Sequence, residues 1–166
     1  MKRLWFVLFI AFTLPLSAQQ TVAEVLKQYN AETIPYISVD ELRRIQLNEQ
    51  VVILDSREMK EYEVSKIPEA MYIGYSEFSA KTVSEAIADK SQPVVVYCSL
   101  GVRSETIGEK LKKAGFTNVK NLYGGIIEWK NKGYPVLDME GNETEKVHTS
   151  SKYWSQWLKK GKKVYE

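Results

Sequence analysis

Cys98 is the only cysteine in a chain of 166 residues. It ends the apolar run Pro93-Val-Val-Val-Tyr-Cys98 and leads into Ser99-Leu100-Gly101-Val102-Arg103-Ser104. The run predicts a short buried strand, and the residues after it predict a glycine-containing loop opening an amphipathic helix. A thiol in that position meets inward-pointing backbone N–H groups and the partial positive charge of a helix N-terminus. Both favour the thiolate, and Arg103 adds a full positive charge nearby. The spacing therefore predicts Cys98 as a nucleophile. Ser99, Leu100, Gly101, Val102 and Arg103 would supply a backbone cradle, with Gly101 permitting tight curvature. Two roles stay open for Arg103, attraction of an anionic substrate or pairing with a core carboxylate. The competing reading of Cys98 is a buried, inert thiol.

The elements that must position this thiol follow from hydrophobic patterning. Thr21 to Asn30 has helical spacing through Val22, Val25 and Leu26. Ile37-Ser-Val39 predicts a strand, with Asp40 capping a helix through Leu42 and Ile45. Val51 to Leu54 predicts a second buried strand, ending at Asp55, and Met71 to Ile73 a third. Helices are expected from Phe78 to Asp89, Ser104 to Ala114 and Gly125 to Lys132, with strands at Pro93 to Cys98 and Val119 to Leu122. Strands that are continuous apolar runs, alternating with helices, indicate an α/β fold with a parallel sheet covered on both faces. In such sheets the reactive site lies at the carboxyl ends of the strands, where Asp55 and Cys98 both fall. The Lys152 to Lys160 stretch resumes helical spacing, and Trp154 and Trp157 are too apolar to be left in water. A C-terminal extension, 138–166, is expected to pack back on the domain.

The N-terminus combines basic Lys2 and Arg3, an apolar run from Leu4 to Leu16, and small residues at Ser17-Ala18. That layout predicts an export signal over 1–18 and a periplasmic or secreted protein, with an uncleaved anchor as the alternative because Leu16 makes an imperfect cleavage site. Residues 19–34 would form an N-terminal helix and linker. The chain carries 23 basic and 21 acidic residues, so loss of Lys2 and Arg3 leaves 21 of each. Bulk attraction to nucleic acid or to an anionic membrane is not expected from that balance. A single cysteine forms no internal disulfide.

From about Ile37 to Val136 the chain resembles a single rhodanese-type (sulfurtransferase) domain. The matching stretches are Ile53-Leu-Asp-Ser-Arg-Glu58 with Glu61-Tyr62, Lys66-Ile-Pro-Glu-Ala70, and Val96-Tyr-Cys-Ser-Leu-Gly-Val-Arg-Ser104. Leu111 with Ala114-Gly-Phe116, Leu122-Tyr-Gly-Gly-Ile126, Trp129 and Gly133-Tyr-Pro-Val136 complete the set. The resemblance implies a three-layer α/β fold over 35–137. It also implies a cysteine that takes sulfane sulfur as a persulfide from thiosulfate or another persulfide and passes it to cyanide or a thiol. Lys66 stands where the family often has histidine, and Glu69 where a small residue is common, so substrate preference does not carry over. Phosphatases and arsenate reductases of similar architecture use Cys-x5-Arg, whereas Cys98 to Arg103 is Cys-x4-Arg and position 104 is Ser. The tighter ring of N–H donors suits a terminal persulfide sulfur.

Other chemistry-bearing residues have quieter readings. Asp55 and Arg57, with Ser104, are expected to support the loop, the first two as a structural ion pair at the sheet's end. Glu58, Glu61 and Lys66 read as surface or rim groups, Trp129 and Tyr134 as core, and Gly124-Gly125 as a turn. His148 reads as structural or solvated, or as part of a tail folded over the Cys98 pocket. The lysines at 159, 160, 162 and 163 read as a solvated terminus. No metal or cofactor is expected. The alternatives to a sulfurtransferase are a sulfur carrier serving a partner protein and, further off, a phosphatase or arsenate reductase.

Overall fold

The computed structural model describes residues 19–48 and 50–166. The predicted export signal, residues 1–18, lies outside them. Five parallel strands form the central sheet: β1 (Tyr36–Ile37), β2 (Val52–Asp55), β3 (Met71–Tyr72), β4 (Val94–Tyr97) and β5 (Val119–Leu122), in the order β1-β5-β4-β2-β3. All four pairings are parallel, and β4 lies at the centre, in register with β2 from Val52–Val94 to Asp55–Tyr97. Along β4, Val95 and Tyr97 belong to one apolar cluster, and Val94 and Val96 to another on the opposite face. A strand buried on both sides has no need of polar alternation, which is why its sequence is an unbroken apolar run.

Helices α1 (Val22–Tyr29), α2 (Val39–Asn48) and α6 (Gly125–Asn131) contribute to the first cluster through Val25, Leu42, Ile45, Ile126 and Trp129. Helices α4 (Ala80–Ala86) and α5 (Arg103–Lys113) contribute Val83, Ile107 and Leu111 to the second. The short α3 (Met59–Val64) follows β2 directly. The expected parallel sheet with helices on both faces is the observed fold.

Local details differ from the sequence reading. The first strand ends at Ile37 and α2 begins at Val39, because Ser38 Oγ accepts from the Glu41 N–H at 3.1 Å and so caps the helix. Asp40 is not the cap. Its carboxylate accepts from Lys132 Nζ at 2.9 Å and Tyr134 Oη at 2.7 Å, tying α2 to the end of α6. The Phe78 to Asp89 helix is shorter than expected, starting after Ser79, whose side chain accepts from Thr82 N. The tryptophan segment forms one 3-10 turn, Trp154–Trp157, in place of a longer helix. Lys162 and Lys163 are exposed, as a solvated terminus would be, and their backbone is ordered, since Lys162–Val164 pairs in parallel with Lys146–His148.

The C-terminal segment packs against the first cluster through Val147, Trp157 and Leu158. Trp157 is 4% exposed and its Nε1 donates to the Gln20 carbonyl at 2.9 Å, which joins the chain's two flanks. No helix among the described residues is long and apolar enough to cross a membrane. Truncating a buried tryptophan costs about 3–5 kcal/mol. Trp157→Ala is expected to lower the urea unfolding free energy by that amount, and a loss under about 1 kcal/mol would mean the segment does not belong to the folded core.

Candidate active site

Cys98 follows β4 directly, and α5 begins five residues later at Arg103. Between them the loop turns its carbonyls away from the sulfur. Cys98 O accepts from Ile126 N at 3.0 Å and Ser99 O from Ile127 N at 3.2 Å, both from the first turn of α6. Gly125 makes that approach possible: a Cβ there would lie 2.3 Å from Cys98 O and 2.7 Å from Ser99 O. Gly101 O accepts from two side-chain amides, Asn30 Nδ2 at 2.9 Å and Asn121 Nδ2 at 2.8 Å. With its carbonyl held there and φ at +115°, a conformation that favours glycine, Gly101 aims its N–H at Cys98 Sγ, 3.1 Å away. Ser104 Oγ lies 3.5 Å from the same sulfur and donates to Asn121 Oδ1 at 2.7 Å.

Burial alone would push the Cys98 thiol up, since desolvation disfavours the charged form. The positive charge of Arg103 and hydrogen bonds from the Ser104 and Gly101 backbone N–H groups outweigh it, and the thiol lies below its ordinary value. Arg103 is fixed by a carboxylate: its Nη1 and Nη2 donate to Glu61 at 2.6 and 2.8 Å, and Nη2 also reaches Ser99 Oγ at 3.1 Å. Of the two roles left open for Arg103, the structure places it in the pair with a core carboxylate. Glu61 is 1% exposed, so the expectation of a surface or rim group is corrected. Burial works to raise its pKa, but Arg103, the Glu58 N–H and Arg57 draw it down to about 2.

Asp55 and Arg57 sit behind the loop as a buried ion pair, Arg57 Nη2 to Asp55 Oδ2 at 2.6 Å. Tyr97 Oη donates to Asp55 and accepts from the Ile67 N–H at 3.2 Å, and Arg57 Nη2 also donates to Ser65 O at 2.6 Å. Ser56 N and Oγ both donate to Tyr97 O, at 2.9 and 2.8 Å. This network anchors the residue preceding Cys98. It does not touch the sulfur.

A cavity of about 120 Å3 opens onto Cys98, walled by Ser99, Leu100, Val102 and Arg103 from the loop and by Ser150 and Trp154 from the C-terminal segment. Although Cys98 is only 2% exposed, it lines this cavity. The tail therefore lies over the pocket. His148 is buried beneath it, its Nδ1 accepting from Ser150 N at 3.1 Å and lying 3.8 Å from Glu61 Oε1. Burial lowers its pKa against the pull of Glu61 and so favours the neutral ring. Among the described residues there is no cluster of side chains able to hold a metal ion.

The sequence reading missed Glu61, Asn30, Asn121 and Trp154 as parts of the site. Only Asn121 had a local signal, an amide next to Leu122 in a strand expected to be buried, which must find buried partners.

A model of the rhodanese-like domain matches residues 38–132. The thiosulfate sulfurtransferase GlpE of Coxiella burnetii is 35% identical over 95 residues, covering 55% of this chain and 82% of that protein. The putative sulfur carrier protein YrkF of Bacillus subtilis is 34% identical over 104 residues, 62% of this chain and 55% of the relative, so the chain spans about half of that protein's length. A crystal structure of a thiosulfate sulfurtransferase from Pseudomonas aeruginosa superposes with a TM-score of 0.58 at 27% identity, over 66% of this chain and 21% of that one. With a strand-end cysteine, a carbonyl-out loop and a family match over more than half its length, this chain belongs to the rhodanese-like domain family.

Proposed function

We propose that this protein is a sulfurtransferase in which Cys98 carries sulfane sulfur from thiosulfate or a persulfide donor to a thiophilic acceptor, cyanide or a thiol. The observation that carries the reading is the Gly101 N–H directed at Cys98 Sγ from 3.1 Å inside a pocket open to small molecules. The Cys98 thiolate attacks the outer sulfur of thiosulfate, a new S–S bond forms, and sulfite leaves with the electron pair of the broken bond. The persulfide keeps one negative charge on its terminal sulfur. Cyanide then attacks that sulfur, thiocyanate departs, and the thiolate returns. The downward shift of the thiol favours the ionised form that attacks, which lessens the need for a general base.

Ser99, Leu100, Gly101, Val102 and Arg103 surround the terminal sulfur in this scheme, with Gly101 donating to the anchored one. Arg103 acts through its field, since its donors are engaged by Glu61 and Ser99. Ser104 supports the thiolate, and Asp55 with Arg57 fixes the strand end. The relatives named as thiosulfate sulfurtransferases support this assignment. A second reading, a carrier that releases sulfur only to a partner protein, is favoured by the relative named as a putative sulfur carrier. Steady-state turnover with cyanide beside single-turnover loading separates the two. Residues 1–18 support export to the periplasm or beyond, with no stable membrane insertion once they are removed.

Incubation with thiosulfate is expected to add the mass of one sulfur to the intact protein. Cys98→Ser is expected to lose both that gain and all thiosulfate:cyanide transfer, and residual turnover in that variant would discard the mechanism.

The pH dependence has a definite sign. Because the thiol is held below its ordinary value, iodoacetamide should alkylate Cys98 with a midpoint below that of the same thiol in the unfolded chain. Arg103→Gln removes a positive charge that favours the thiolate, so the midpoint should move up. A downward move would show that Arg103 does not stabilise the anion.

A further inference from the structure

His148 stands where the C-terminal segment meets the Cys98 site, outside the family match, which ends at residue 132. It is the chain's single histidine, and it is buried. Its Nδ1 accepts from the Ser150 N–H at 3.1 Å, so the neutral ring carries its proton on Nε2. Ser150 lines the cavity over Cys98 and adopts φ +69°, a conformation that a residue with a Cβ keeps only where its surroundings hold it there. The N–H bond to Nδ1 supplies part of that hold. On either side the tail is secured separately, by Thr149 N on Val164 O at 2.8 Å and Ser155 N on Ser151 O at 3.1 Å. Loss of the Ser150 bond therefore frees one piece of the pocket wall without unravelling the segment that carries it.

The same nitrogen faces a buried anion. Glu61 Oε1 lies 3.8 Å from Nδ1, too far for a hydrogen bond but close enough to attract the ring once it is charged. A protonated Nδ1 is a donor, so it cannot accept from Ser150 N and would meet that N–H head-on. The other charges around the ring already have partners. Lys60 of α3 pairs with Glu166 from the chain's end, Arg57 with Asp55, and Lys130 of α6 with Glu145. Burial holds the ring's pKa below that of an ordinary histidine, with Glu61 and Glu166 pulling it up and Arg57 and Lys60 pulling it down. The exchange of partners at Nδ1 thus belongs to acidic pH, below the ~6.5 of a free imidazole. It leaves the Arg103 pair with Glu61 as it is.

We propose that His148 is a positioning residue whose neutral Nδ1 ties down the pocket wall over Cys98, and that a proton on that atom unties Ser150 and widens the entrance. The proposal rests on the sulfurtransferase reading for its consequence, easier entry of a bulky reactant in acid. The untying itself is a property of the pocket.

The test uses the full chain labelled with 15N and 13C, in which a single histidine gives a single set of ring signals. The ring and the Ser150 amide are expected to titrate with one shared midpoint below ~6.5, the neutral ring being protonated at Nε2. Opening is read as the ratio of Cys98 modification rates by N-phenylmaleimide and by iodoacetamide, from about pH 8 to about pH 5. Both reagents need the thiolate, so its ionisation cancels in the ratio. The ratio is expected to rise about fivefold as pH falls through the midpoint, the shift that one neutral hydrogen bond corresponds to. His148→Asn keeps an acceptor close to the place of Nδ1 and should give a low, flat ratio, whereas His148→Phe, with no acceptor, should give a high, flat one. A Ser150 amide that does not follow the ring, or a step that persists in His148→Asn, would overturn the proposal. The NMR readings come from the unaltered chain, so they decide the matter even where a variant fails to fold. Absence of sulfur loading at Cys98 would instead overturn the sulfurtransferase reading and leave the titration result standing.

Discussion

Glu61 imposes the constraint that organises this site. A buried carboxylate is costly unless charge and hydrogen bonds compensate it, and here the compensation comes from separate parts of the chain. The Glu58 N–H supplies one bond at 3.0 Å from the start of α3, Ser99 Oγ another at 3.0 Å from the loop, and Arg103 two more from the start of α5. The C-terminal segment closes the same group from above, with His148 at 3.8 Å. Satisfying one carboxylate therefore fixes the helix after β2, the loop after β4 and the start of α5 relative to one another, while the tail only packs beside them. Arg103 is positioned by the same requirement, so its charge reaches Cys98 without a flexible side chain having to be ordered at the moment of reaction.

The loop obeys a second accounting rule, that buried backbone groups need partners. Giving the carbonyls of Cys98, Ser99 and Gly101 to α6 and to the amides of Asn30 and Asn121 clears the negative ends of those peptides from around the sulfur. What remains facing Sγ is donor character. Gly101 and Gly125 serve the same end by different means, one by adopting a backbone conformation and the other by leaving room for a carbonyl. Beneath them, the Asp55–Arg57–Tyr97 network holds the last residue of β4, so the loop starts from a fixed point.

The sheet was legible because its evidence is local. Val94 to Tyr97 is apolar without interruption, and that pattern has one economical explanation, burial on both faces. Helix ends were less legible: Ser38 and Asp40 are both good capping residues, and the choice was made by the carboxylate of Asp40 finding Lys132 and Tyr134, 92 and 94 positions away. Glu61 was opaque for the same reason. In sequence it is an ordinary acidic residue at the third position of a helix, and nothing local distinguishes it from exposed Glu63. Its burial follows from Arg103, 42 positions on. The fold of the tail was misread because Trp154 and Trp157 have helical spacing, yet Lys162–Val164 pairs with a strand whose own sequence is too short to signal it.

Burying the sulfur has opposing effects, and the balance between them explains the arrangement. Desolvation resists ionisation of Cys98, and an apolar pocket with no compensation would hold a neutral, unreactive thiol. The same low-dielectric surroundings amplify the field of Arg103 and the bond from Gly101, so compensation works best where it is most needed. A shallower site would ionise the thiol more easily but leave the sulfur open to water and stray oxidants. In this protein the tail narrows the pocket while Arg103 and the Gly101 N–H favour the anion. Without Arg103 the enclosed sulfur would be harder to ionise, and without Trp154 and Ser150 over it the sulfur would lose its shelter.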